Sequence, residues 1–209
     1  VTATPERLDG KGLREAFDEL VLGPSVRELI LDGYLAEYVA YGPSGGARPD
    51  LTGVHTVAGD YNTAELARVM SDRRLIGDAV EHYRRYADGR PAVAFCVTVA
   101  HAEAVAAQFE AAGYRAASVD GTMDDVTRDA RIGGLADGSV QVLTSCALIS
   151  EGLDVPGIGA AILLRPTKSL AMYLQQVGRA LRPKPDGSAA VMLDHAGNMA
   201  EHGMPCDER

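Results

Sequence analysis

From Pro91 onward the chain repeats one pattern: a short apolar run, a polar break, then an amphipathic stretch long enough for a helix. The runs are AVAFCV (Ala92 to Val97), RAASV (Arg115 to Val119), VQVLTS (Val140 to Ser145), GAAILL (Gly159 to Leu164) and SAAVMLD (Ser188 to Asp194). A short run that is apolar throughout fits a strand covered on both faces, as in a parallel sheet. Parallel neighbours need a crossover, and the stretches between the runs can supply it as helices. Ala100 to Ala112 places Val105, Phe109 and Ala112 on one face and ends at Gly113. Helices are also expected over Met123 to Leu135 and over Leu170 to Leu181. The fold class that follows is α/β, an open, mostly parallel sheet with helices on both faces. Binding residues in such sheets collect beyond the carboxyl ends of the strands, which singles out the loops after Val97, Ser145 and Leu164.

The first ninety residues lack this rhythm. Helices are expected over Lys11 to Leu20 and over Ser25 to Leu31, with Ser25 as N-cap, then a strand over Leu35 to Tyr41. GPSGGARPD, Gly42 to Asp50, reads as a mobile loop, because Gly, Pro and Ser offer little to pack. Two helices follow near Thr63 to Met70 and Arg74 to Tyr86. The opening VTATPERLDGKGL has no capping or starting element, the pattern expected of a domain cut from a longer polypeptide.

With 209 residues, 46% of them hydrophobic, the chain can bury a sizeable core without staples. A net charge of −9 argues against a surface that is basic all over, although a few placed cations can still hold a polyanion. Cys96, Cys146 and Cys206 are odd in number, far apart and free of any CxxC pair, so neither a disulfide framework nor a zinc ribbon is suggested and a reducing cytoplasm is the natural setting. There is no apolar run of membrane-spanning length and no signal peptide.

The chemistry-bearing stretch is QQVGRALRP, Gln175 to Pro183. Arg179 and Arg182 are neighbours on one helix surface, and two cations that close call for a shared anion. The bland reading is a solvated helix face. Gly178 counts against it, because glycine inside a helix costs about 1 kcal/mol against alanine and needs a reason such as close approach of a backbone or ligand. EGLDVPGI, Glu151 to Ile158, is equally ambiguous alone, since Pro156 and Gly157 could simply punctuate a turn. His195, His202 and Cys206 are irregularly spaced and fall short of a metal site. Asp194 and His195 could imitate an acid and base pair, or could shape the domain edge.

Taken in order, FCVT, VLTSCALISEGLDVP and QxxGRxxR resemble motifs IV, V and VI of superfamily 2 helicases, and TATP at Thr2 to Pro5 resembles their motif III. TATPxRxDGKGL and LDHAGN look most like RadD-type DNA repair helicases and the helicase subunits of restriction enzymes. The resemblance implies that residues 1–10 end a first RecA-like domain, 11–90 connect, and 91–209 form the second RecA-like domain. It implies that Arg179 and Arg182 reach the γ-phosphate of ATP, that Gln175 helps order the nucleotide site, and that Gly152 and Asp154 approach the nucleotide. Thr98, His101, Gly121, Thr122, Thr144 and Ser145 are the implied nucleic-acid contacts, and Thr2 and Thr4 the coupling residues. Relatives often carry a threonine where this chain has Cys146.

Neither G-x-x-x-x-G-K-[ST] nor a DExH box occurs in these 209 residues. ATP and its Mg2+ would therefore be held mainly by a partner N-terminal RecA-like domain of the same polypeptide. This chain alone is expected to be inactive, and its polymer is expected to be DNA, with RNA left open. A scaffold that binds without turnover is the rival reading. A doubly wound cofactor enzyme would need a Gly-rich loop after its first strand, and none is seen.

Overall fold

The computed structural model describes residues 21, 23–43, 48–146 and 158–207. In chain order the elements are α1 (Val26–Leu31), β1 (Tyr38–Tyr41), β2 (Thr56–Val57), β3 (Asp60–Tyr61), α2 (Thr63–Met70), α3 (Arg73–Tyr86), β4 (Ala92–Cys96), α4 (Val99–Ala111), β5 (Ala116–Val119), α5 (Asp125–Asp137), β6 (Val142–Cys146), β7 (Ala160–Leu163), α6 (Leu170–Ala180), β8 (Ala190–Asp194) and α7 (Asn198–His202). Six strands pair in the order β1-β8-β7-β4-β6-β5, and every pairing is parallel. This is the open parallel α/β sheet expected from the alternation, and it is RecA-like, as the resemblance implies.

The doubly buried strands read as they should. Along β4, Val93 and Phe95 face one core with Ile132 and Leu135 of α5 and Tyr173 and Val177 of α6. Ala92, Ala94 and Cys96 face the other, with Ile76 and Tyr83 of α3 and Val105 and Phe109 of α4. All five β4 residues are buried, so period-two alternation distributes apolar side chains to two helical layers instead of exposing one face. Helix starts are set by short polar caps. Ser25 forms a full capping box with Glu28, as its place before VRELIL predicts. Asn62, Asp72, Thr98, Asp124 and Ser169 each accept a first-turn N–H.

Boundaries shift by a few residues from expectation. The first strand pairs only over Tyr38–Tyr41, because Ala36 N–H is taken by Leu181 O (2.7 Å) before the ladder begins. The fifth helix starts at Asp125, after the Asp124 cap. The hairpin β2–β3 and the short α7 were not expected. The helix over Lys11 to Leu20 lies outside the described residues, as do residues 44–47 of the loop Gly42 to Asp50. No helix among the described residues is long and apolar enough to cross a membrane.

Candidate functional site

Helix α6 is two-sided. Tyr173, Gln176, Val177 and Ala180 are buried against the sheet, Gln175 is exposed, and Gly178 and Arg179 are half-buried. Gln175 and Arg179 are one turn apart, and Arg182 follows the C-cap Leu181. A Cβ placed on Gly178 would meet nothing within 4 Å. The close approach that a mid-helix glycine calls for is thus not made by any of the described residues. Lys184 closes the far end of α6: its buried Nζ donates to Ala180 O (3.0 Å) and Arg182 O (3.4 Å). Burial, and next the Arg90 charge, lower its pKa. A cavity of about 440 Å³ between Arg90, Pro91, Gly159 and Lys184 lies at the amino end of β4 and β7, opposite the carboxyl edge.

At the carboxyl edge the six nucleic-acid candidates divide. Thr98 is half-buried at the start of α4, and Gly121 and Thr122 are exposed after β5. Thr98 Oγ1 accepts from His101 N–H (3.1 Å). The turn after β5 is already occupied by a carboxylate: Asp120 Oδ1 accepts from Thr122 N–H (2.7 Å) and from the Thr122 hydroxyl, bonds that hold its pKa below the usual range. The other three side chains are internal. Thr144 is fully buried and its hydroxyl donates to Ala102 O (2.7 Å), tying β6 to α4. Ser145 is 2% exposed. His101 is 1% exposed, and its Nδ1 accepts from Val97 N–H (3.2 Å), which leaves the proton on Nε2. Ser145 Oγ and His101 Nε2 find no hydrogen-bond partner among the described residues. Cys146 donates its thiol to Val97 O (3.2 Å) and links the ends of β6 and β4. Gly152, Asp154, Thr2 and Thr4 lie outside the described residues.

Sequence reasoning missed what holds the loop after β7. Asp60, on the hairpin, accepts from Lys168 N–H (2.8 Å) and the Thr167 hydroxyl (3.1 Å), with Arg165 Nη2 3.7 Å away. From the other side Asn198 accepts from Thr167 N–H (3.1 Å) and donates to Arg165 O (3.0 Å), while His202 Nε2 donates to Thr167 O (2.8 Å). Asn198 is itself placed by Asp194, whose carboxylate accepts from the N–H groups of Ala196, Gly197 and Met199 at 2.7 to 3.0 Å. Asp194 thus builds a turn and does not bond to the His195 ring. A two-residue turn, Ala58–Gly59 with φ of 51° and 88°, was the available signal for the hairpin. His195 stacks on His82 (5.0 Å), His202 on Tyr173 (5.4 Å), and Tyr38 donates to Cys206 Sγ (2.9 Å). No group of three metal-capable side chains gathers among the described residues.

Two buried histidines set an acid limit on stability. Burial pushes His101 down to about 4, and burial, then the neighbouring His82, do the same to His195. An unfolded histidine takes its proton near pH 6.5, so both groups favour the unfolded chain as pH falls from about 6.5 towards 4. Each should cost up to about 1.4 kcal/mol per pH unit in that window. Urea midpoints at pH 7, 6 and 5 should fall steadily, and His195→Gln should flatten the slope. A midpoint that stays constant over this range would show that the buried imidazoles do not control acid stability.

The sheet is RecA-like, and its last crossover helix, α6, carries Gln175 exposed and Arg179 half-buried, with Arg182 just beyond its C-cap. The chain belongs to the helicase conserved C-terminal domain family, which matches residues 75–184, more than half its length. It is 34% identical over 205 residues to the "51.5 kDa protein" of Lactococcus phage (isolate 7-9), covering 98% of this chain and 44% of that protein. To the "Putative ATP-dependent helicase IRC3" of Saccharomyces cerevisiae it is 30% identical over 184 residues, covering 87% of this chain and 26% of the relative. Among solved structures, "the fragment structure of a putative HsdR subunit of a type I restriction enzyme" from Vibrio vulnificus YJ016 superposes with a TM-score of 0.74 at 19% identity, covering 98% of this chain and 40% of that one. The chain spans less than half the length of each of these proteins.

Proposed function

We propose that this chain is the second motor domain of an ATP-dependent DNA helicase or translocase, with α6 supplying Arg179 and Arg182 to ATP held by an N-terminal RecA-like domain. The observation that carries the reading is the two-sidedness of α6. One side is anchored by Tyr173, Gln176, Val177 and Ala180, and the other offers Gln175 and Arg179 beside Gly178. Guanidinium groups three residues apart at the end of one helix fit a phosphate anion, which they can engage in pairs of hydrogen bonds. ATP, with Mg2+ held mainly by the other domain, supplies a phosphoryl group whose transfer to water drives the cycle. Arg179 and Arg182 stabilise the charge that develops on that group, Gln175 orders the site, and Gly152 and Asp154 of the EGLDVP segment approach the nucleotide.

The nucleic-acid track runs over the carboxyl edge, past Thr98 and the backbone of Gly121, with Thr122 held in place by Asp120. DNA is the polymer proposed, on the likeness of TATPxRxDGKGL and LDHAGN to DNA repair helicases and restriction-enzyme helicase subunits. Steady-state ATPase assays on the full polypeptide should show turnover stimulated by single-stranded DNA, and the isolated 209 residues should show none. Stimulation by RNA alone would reverse the choice of polymer. No turnover under either polymer would favour a scaffold that binds without hydrolysis.

A further inference from the structure

We infer that Asp60, on the β2–β3 hairpin, is a positioning residue that fixes the start of α6 and through it the direction of Arg179. This rests on the motor reading of α6. Thr167 is 1% exposed, and its backbone and hydroxyl are engaged by four partners from two elements and the helix start: Asp60 of β3, Asn198 and His202 of α7, and the N–H of the N-cap Ser169 (3.0 Å). On the hairpin side Asp60 is the sole carboxylate in this set, and it meets a hydroxyl, an N–H and the half-buried Arg165 guanidinium. Without it, the part-buried Thr167 hydroxyl loses its acceptor, the exposed Lys168 N–H is released to water, and the half-buried Arg165 guanidinium loses its counter-charge, so the loop has to rearrange. The Lys168 ammonium, bonded to Thr56 Oγ1 (2.6 Å) and lying over the Tyr61 ring, closes the hairpin onto the same loop.

The loop matters because α6 starts one residue later. The far end of the helix is held separately, by Lys184 on Ala180 O and by Ala36 N–H on Leu181 O. Two fixed ends define the axis of an 11-residue helix. Such a helix is about 16 Å long, and a tilt of about 4° displaces one end by about 1 Å relative to the other. A misplacement of about 1 Å can cost on the order of 10²-fold in rate when the groups act on a transition state. Asp60 makes no contact with the nucleotide in this account; it acts only through the helix.

The test uses the full polypeptide in DNA-stimulated ATPase assays, with Asp60→Ala, Asp60→Asn, Arg179→Ala and the Asp60→Ala/Arg179→Ala double variant. Asp60→Ala should lose about tenfold or more in kcat while KM for ATP stays within about twofold, because ground-state binding is largely independent of the arginine's direction. Asp60→Asn keeps one acceptor oxygen, and should fall between wild type and alanine even if the alanine variant fails to fold. The double variant should be no slower than Arg179→Ala alone, since a misaimed side chain that is absent has nothing more to lose. Normal kcat in both Asp60 variants with a slow Arg179→Ala overturns the positioning role and leaves the motor reading standing. Losses that multiply in the double variant overturn it too. Normal turnover in Arg179→Ala removes the motor reading of α6, and the inference falls with it.

Discussion

Replacing Arg179 by alanine in the full polypeptide should lower kcat for ATP hydrolysis by about 10³-fold, with KM for ATP changed far less. The expectation follows from where the side chain sits. Arg179 is half-buried on α6, one turn from the exposed Gln175, and the sheet-facing side of that helix is occupied by Tyr173, Gln176 and Val177. An interaction that strengthens as charge shifts onto the transferring phosphoryl oxygens is felt in kcat; one made equally before and during the reaction is felt in KM. Arg182→Ala should behave alike. The double replacement should cost much less than the product of the single effects, because groups that act on one anion as a unit are not additive. Lysine at position 179 should not rescue, since an ammonium lacks the planar fork that engages two phosphate oxygens. DNA affinity without nucleotide should barely move. Near-normal kcat in both single variants would return the two arginines to a solvated helix face.

The parts of this molecule that were legible in the sequence share a physical cause. β4, β7 and β8 are buried on both faces, so their apolar runs are unbroken, and the crossovers between strands are long enough to show helical periodicity. The helix that carries QxxGRxxR was legible because the residues it buries, Tyr173, Val177 and Ala180, recur at helical spacing. What failed to show was short or inward. The strands β2 and β3 have two residues each and α7 has five, below any period a pattern can reveal. Asp60 and Asn198 carry no local signature, since their partners Thr167 and Lys168 are brought to them by the tertiary fold. Thr144, Ser145 and His101 were plausible ligands by position at a carboxyl edge. Thr144 and Ser145 lie on a strand buried on both faces and His101 in the first turn of α4; neither setting gives a cue to which polar side chain turns inward, and all three are buried.

Gly178→Ala should move stability and activity in opposite directions. Within the described chain a Cβ at this position meets nothing within 4 Å, so the fold has room for it. Alanine is favoured over glycine inside a helix by about 1 kcal/mol, and Gly178 sits in α6 short of its C-cap, so the urea midpoint of the 209-residue chain should rise. The same change in the full polypeptide should slow hydrolysis tenfold or more, and Gly178→Leu should slow it further. Gly178 lies between Gln175 and Arg179, and a methyl group there occupies the space that the nucleotide or the facing RecA-like domain needs for close approach. A glycine kept where alanine is better for the helix is the expected trace of a site that trades stability for access. A variant that is both more stable and fully active would show that the space beside Gly178 stays open in the working enzyme. In that event the arginines would have to reach their anion across a gap that water fills, and the strong transition-state effect expected of Arg179 would lose its physical basis.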